Sequence, residues 1–72
     1  MAIRGIERLK RVMWRLVEQD KEYYLKSDIE LAIMYECGTD PRTVINNYNQ
    51  LIKLGWFKIS SKRYYIKDKN LF

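Results

Sequence analysis

The chain has no histidine and a single cysteine, Cys37. No disulfide can form within it, and the Cys/His sets that hold structural zinc or pair a nucleophile with a base are excluded. One proline and three glycines punctuate 72 residues, with no linker, repeat or low-complexity stretch between them. No uncharged apolar run approaches the roughly 18 residues of a membrane span. Arg4, Arg8 and Arg11 interrupt the N-terminal apolar stretch, which therefore lacks the form of a secretion signal. A single domain over residues 1–72 is expected, with residues 68–72 as a short tail. The expected location is the cytoplasm, away from any membrane. Paired carboxylates at catalytic spacing and phosphate-cradling glycine loops are also missing. Glu18, Asp20 and Glu22 lie close together, but without the organised loop that calcium requires. Neither an enzyme nor a cofactor or small-molecule binder is expected.

What the chain does have is an uneven distribution of charge. Residues 1–15 carry Arg4, Arg8, Lys10, Arg11 and Arg15 against Glu7, a net of +4. Residues 16–41 carry Lys21 and Lys26 against seven acids, a net of −5, and residues 42–72 carry seven cations against Asp68, a net of +6. A basic surface assembled from the two ends is the footprint of a polyanion binder.

Periodicity supplies the elements. Ile3, Ile6, Leu9, Met13, Leu16 and Val17 fall at helical spacing opposite Arg4, Arg8, Arg11 and Arg15, which predicts one amphipathic helix from Ile3 to about Asp20. The arginine row is either a solvated face or a second contact for phosphates. Glu22–Leu25 reads as a brief strand. Ser27 with Glu30 has the form of a capping box, opening a helix through Ile29, Leu31, Ala32, Ile33 and Tyr35 that Gly38 ends. Asp40 as N-cap and Pro41 at the first turn open a third helix, closed at Gly55. Trp56–Ile59 and Tyr64–Lys67 read as two strands with Phe57, Ile59, Tyr64 and Ile66 inward. Lacking Gly or Asn, Ser60–Arg63 predicts a four-residue loop rather than a two-residue primed turn.

The third helix raises the functional question. Its inner stripe is Val44, Tyr48 and Leu51, with Ile52 and Leu54 flanking. At about 100° per residue, Arg42, Asn46, Asn49 and Lys53 fall opposite Val44, with Thr43 and Gln50 on one flank. Asn and Thr are poor helix formers. A face that is merely solvated favours Glu and Lys, which form i,i+4 pairs. From Arg42 to Lys53 there is no acid. Asn and Gln pair bidentately with adenine and Arg with guanine, while Thr offers a hydroxyl and a methyl. The asparagines therefore read as a base-recognition surface.

Two helices joined across a glycine-containing turn, followed by a hairpin, resemble the winged helix-turn-helix family of DNA-binding proteins. The residues that carry the resemblance are Thr43-Val44, Tyr48, Leu51 and Leu54-Gly55-Trp56-Phe57, within a likeness that spans about residues 3–67. In size the chain is similar to the small winged-helix proteins of archaeal viruses and plasmids, for which the location would be the host cytoplasm. The resemblance implies an α+β fold of three helices, a short strand and a C-terminal hairpin wing. It also implies a transcriptional regulator binding double-stranded DNA, with the third helix in the major groove. Carried over by position, Arg42, Thr43, Asn46 and Asn47 contact bases, whereas Asn49, Gln50 and Lys53 meet phosphate. At the wing tip Ser60, Ser61, Lys62 and Arg63 suit the backbone or minor groove, or form a charged turn that keeps the hairpin soluble. The alternatives are a protein–protein assembly module using the same face and a non-specific nucleic-acid binder.

Several residues have plainer readings. Cys37 reads as a small buried hydrophobe, and Tyr65 and Trp56 as packing against Tyr23 or Tyr24 rather than stacking on bases. A core this small, with Trp14, Leu71 and Phe72 uncovered, predicts a homodimer. Abundant Ile, Lys, Glu, Arg and Tyr point towards a thermophile.

Overall fold

A computed structural model describes the backbone of residues 2–71 and the side chains of residues 6–70. Three helices, α1 (Ala2–Glu18), α2 (Lys26–Cys37) and α3 (Pro41–Lys53), precede an antiparallel hairpin of β1 (Phe57–Ser60) and β2 (Arg63–Ile66). A short 3-10 turn, Lys69–Leu71, follows. This is the expected α+β architecture, laid out as a winged helix. Among the described residues no helix is long and apolar enough to cross a membrane.

The buried ladder of α1 is Leu9, Val12, Met13 and Leu16. Relative to the expected stripe, Val12 joins it, Ile6, 40% exposed, leaves it, Val17 is half-buried, and the Ile3 side chain lies outside the described residues. Val12 lies three residues after Leu9 and four before Leu16, so it closes the i,i+3/i+4 row, while Ile6 falls towards the helix's first turns. Ile29, Ala32 and Ile33 of α2 and Val44 and Leu51 of α3 complete the helical core. Leu31 and Tyr35, expected in the body of the α2 run, lie outside it.

The start of α2 corrects the expected cap. The helix begins at Lys26, and the Leu25 backbone N–H donates to Asp28 Oδ2 at 2.9 Å. Asp28 does what Glu30 was expected to do, two residues earlier. Leucine has no side-chain acceptor, so only this half of a capping box exists. Gly38 ends α2 with φ 116° and an N–H bond to the Met34 carbonyl. For α3 the start is as expected: Asp40 Oδ1 accepts from the Arg42 N–H, and Pro41 occupies the first turn.

The expected strand around Glu22–Leu25 shrinks to one residue. Tyr24 exchanges two 2.8 Å backbone hydrogen bonds with Tyr64, adding a rung outside β2. Its fully buried side chain crosses the core, and its hydroxyl donates to the Leu16 carbonyl at 2.6 Å. That satisfies a polar atom which burial would otherwise penalise. Burial also pushes the Tyr24 pKa above its usual value of 10.0.

The hairpin pairs Phe57 with Ile66, Lys58 with Tyr65, Ile59 with Tyr64 and Ser60 with Arg63. Only Ser61 and Lys62 remain between the strands, at φ 51° and 65°. Two left-handed residues in succession are the signature of a type I′ turn, so the expected four-residue loop is a primed two-residue turn after all. Ile59 is also corrected: it shares the face of Phe57 and Tyr64 but is 49% exposed, because it sits on the outer strand β1, whereas its partner Tyr64 on β2 is buried beside the Tyr24 bridge.

Candidate nucleic-acid interface

Burial divides α3 cleanly. Val44 and Leu51 are buried, Tyr48 and Ile52 are half-buried against the core, and Arg42, Asn46, Asn49, Gln50 and Lys53 are exposed. Thr43 and Asn47 lie at the boundary. Because Asp40 engages the first-turn backbone, the N-terminal half of this face starts from a fixed end. The exposed set offers amide donors and acceptors, one guanidinium and one ammonium, and it includes no carboxylate.

Asn47 departs from its expected role as a base reader. Its Nδ2 donates to the Thr43 carbonyl at 2.7 Å, a bond back along its own helix. A side-chain amide engaged in this way has committed one of its two N–H donors and its orientation to its own helix, which hinders a bidentate adenine contact. Arg42, Thr43 and Asn46 remain as base-edge candidates.

Two residues near this surface were not singled out from the sequence. Ile45 is 56% exposed among the polar side chains of α3. Its signal was its position, about 100° from the centre of the inner stripe, and an apolar group there suits a thymine methyl. Lys26 belongs to α2, yet its Nζ sits 5.1 Å from the Tyr48 ring centroid. It brings a cation to the edge of α3 from a residue remote in sequence, which no local pattern reveals.

The hairpin adds basic charge. From Arg42 through Lys67 the chain carries six cations and no acid. Ser60, Ser61 and Lys62 are exposed around the turn. Arg63, also exposed, stacks its guanidinium over the Tyr23 ring at 4.6 Å. Tyr23 in turn packs on Tyr65, centroids 6.1 Å apart. As expected, Tyr65 packs against the segment before α2. Arg63 directly follows the turn, but its guanidinium is held against Tyr23 rather than free in solvent. Lys62 is the cation at the turn itself.

A second joint ties the hairpin to α3. The Tyr48 and Tyr64 hydroxyls are hydrogen-bonded, and the rings meet edge-on with centroids 6.2 Å apart. Burial, and then the bond to Tyr64, raise the Tyr48 pKa well above the usual tyrosine value.

Elsewhere, the arginine row of α1 is not uniform. Arg15 donates from both Nε (3.0 Å) and Nη2 (2.7 Å) to Glu36 Oε2, and its guanidinium lies over the Tyr35 ring at 4.8 Å. It is committed to α2. Arg8 and Arg11 are exposed, and the Arg4 side chain lies outside the described residues, as do those of Leu71 and Phe72. Trp14 is 46% exposed. Cys37 is half-buried against the core, and burial pushes its thiol pKa up, outweighing the nearby Arg8 charge. That is the setting of an unreactive thiol. Comparison of the chain with family models, curated proteins and solved structures finds no match.

Proposed function

We propose that this chain is a sequence-specific double-stranded DNA-binding protein, a transcriptional regulator that inserts α3 into the major groove and lays the hairpin on the backbone or minor groove. The observation that carries the reading is the make-up of the exposed α3 face. Its polar members are Arg42, Asn46, Asn49, Gln50 and Lys53, with no acid, on a helix whose opposite side is core. Side chains that suit base edges lie ahead of side chains that suit phosphates, in the order a helix docked by its N-terminal half would use them. The winged-helix layout supports the same docking, as does the acid-free run of cations through the hairpin.

Selection of bound sequences from a random duplex pool tests the proposal directly. An enriched motif is expected. Arg42→Ala and Asn46→Ala should each cost about 1–3 kcal/mol on that motif. On unrelated duplex Asn46→Ala should change little. Lys62→Ala should weaken every duplex alike and reduce the salt slope by about one. Exposed Ile45 favours a second reading, in which the same face binds an acidic protein surface. Asn46→Ala binding the selected duplex as tightly as wild type, while folded, would favour that reading.

A further inference from the structure

A surface helix ordinarily keeps one stripe apolar and the other polar, and α2 does not. It buries Ile29, Ala32 and Ile33, yet leaves Leu31 54%, Met34 36% and Tyr35 73% exposed. On a helical projection Ser27, Leu31, Met34 and Gly38 fall within about 60° of one another, on the side opposite the core. Their spacing is four, three, four, and their sizes run small, large, large, small. That order reads the same in both directions. In two copies of α2 packed antiparallel about a two-fold axis, Leu31 of each faces Met34 of the other. Ser27 and Gly38 fall at the ends, where their small size lets the helices approach.

Charge and area fit a second copy. The stripe carries no charge although the chain is +5, so its centre opposes no like charges. Its flanks are acidic. Glu30 on one side helps to raise the Tyr48 pKa, and Asp28 on the other is paired with Lys21. A polyanion is thus disfavoured here. Beyond Tyr35 the surface turns polar, since Arg15 lies over the Tyr35 ring and the hollow of about 190 Å³ past it is lined by Arg11, Trp14, Arg15, Glu18 and Glu36, so the apolar patch stays on α2. Leu31, Met34 and Tyr35 together expose on the order of 300 Å². Counted on both copies and with Ser27 and Glu30 at its rim, the face has the size of the small interfaces of weakly associating pairs, below about 1,200 Å² in total.

We infer that the outer face of α2 is the dimer interface of this protein, occupied by α2 of a second copy in antiparallel orientation. The inference does not rest on the DNA-binding reading. Sedimentation equilibrium of the full chain up to about 300 micromolar tests it, with a dissociation constant expected in the micromolar range. Leu31→Glu and Tyr35→Glu, both at exposed positions that leave the helical circular dichroism intact, should each weaken association at least about tenfold. Asn46→Ala should dimerise like wild type. A wild type that remains monomeric at the highest concentration overturns the inference. Leu31→Glu and Tyr35→Glu dimerising as tightly as wild type also overturns it, placing any dimer on another face. Neither result bears on whether a duplex motif is selected, so the two readings fail separately.

Discussion

The proposed DNA-facing surface has two parts, α3 and the hairpin, and they are built on different terms. In α3 the helical period alone separates inside from outside: Val44 and Leu51 are buried, and the polar set faces solvent. In the hairpin the alternating period holds for Phe57 and Tyr64 but not for Ile59, which has the inward parity and half its surface exposed. A helix lies along its core for its whole length, whereas in the hairpin β2 is flanked by Tyr24 and packs inward while β1 forms the outer edge. Which strand a residue occupies therefore decides burial near the turn of the hairpin, as Ile59 and its buried partner Tyr64 show, and pattern decides it in α3.

The sharpest way to break that comparison is to put a carboxylate at the inward position of each element. Val44 is 4% exposed, and Val44→Asp would bury an unpaired charge. A domain this small has a stability of about 5 kcal/mol, which such a substitution removes entirely. Circular dichroism should show no cooperative melt. Ile59→Asp has the same parity but exposed surroundings, and should shift stability by less than about 1 kcal/mol. If both variants unfold, the hairpin is as embedded in the core as the helix.

The same contrast explains how much was legible from the sequence. Helix starts and stops were read correctly where one residue type has one physical job, as with Asp40 and Pro41 opening α3 and Gly38 and Gly55 closing helices. The α2 cap was misread because Ser27 and Asp28 are both competent near a helix start, and which one caps depends on where the chain arrives from Tyr24. The polar face of α3 was legible as a set. Asn47 was not, because an amide at the boundary can bond to its own backbone, and periodicity does not report that choice. The primed turn was missed because local preference argues against Ser and Lys at positive φ. Pairing of Phe57 with Ile66 and bridging of Tyr24 to Tyr64 fix the register, and two residues are all that remain to turn the chain.

Where the two parts meet, Tyr48 of α3 and Tyr64 of β2 share a hydrogen bond. Tyr48→Phe leaves the buried Tyr64 hydroxyl without its partner and should cost about 1–2 kcal/mol at neutral pH. The joint is also pH-dependent. The folded state holds the Tyr48 proton more tightly than the unfolded chain, whose tyrosines ionise near the usual 10.0. Its contribution is therefore complete below pH 10 and is lost as the pH rises above it. Urea unfolding between pH 7 and pH 11.5 should show wild-type stability falling above pH 10. The fall should be shallower in Tyr48→Phe, with the remainder carried by Tyr24, whose pKa is also raised. Equal slopes would mean that the helix and hairpin are not coupled through this pair.

The smallest expected effect separates the two things Lys62 does. At φ 65° its backbone is in the left-handed region, where a side chain costs about 1 kcal/mol that glycine avoids. Lys62→Gly should therefore raise the stability of the domain by roughly 0.5–1 kcal/mol, seen as a higher melting temperature. On the DNA reading the same substitution removes a phosphate-neutralising charge, so affinity for all duplexes should fall and the salt slope should drop by about one. Stability and binding then move in opposite directions. Ser61→Asn supplies the control, since Asn tolerates φ 51° better than Ser and leaves the charge unchanged. It should raise the melting temperature while leaving the salt slope unchanged. A Lys62→Gly variant with wild-type affinity would remove the turn from the proposed interface and leave α3 to bind alone. A lowered melting temperature would instead show that Lys62 holds the turn through its side chain.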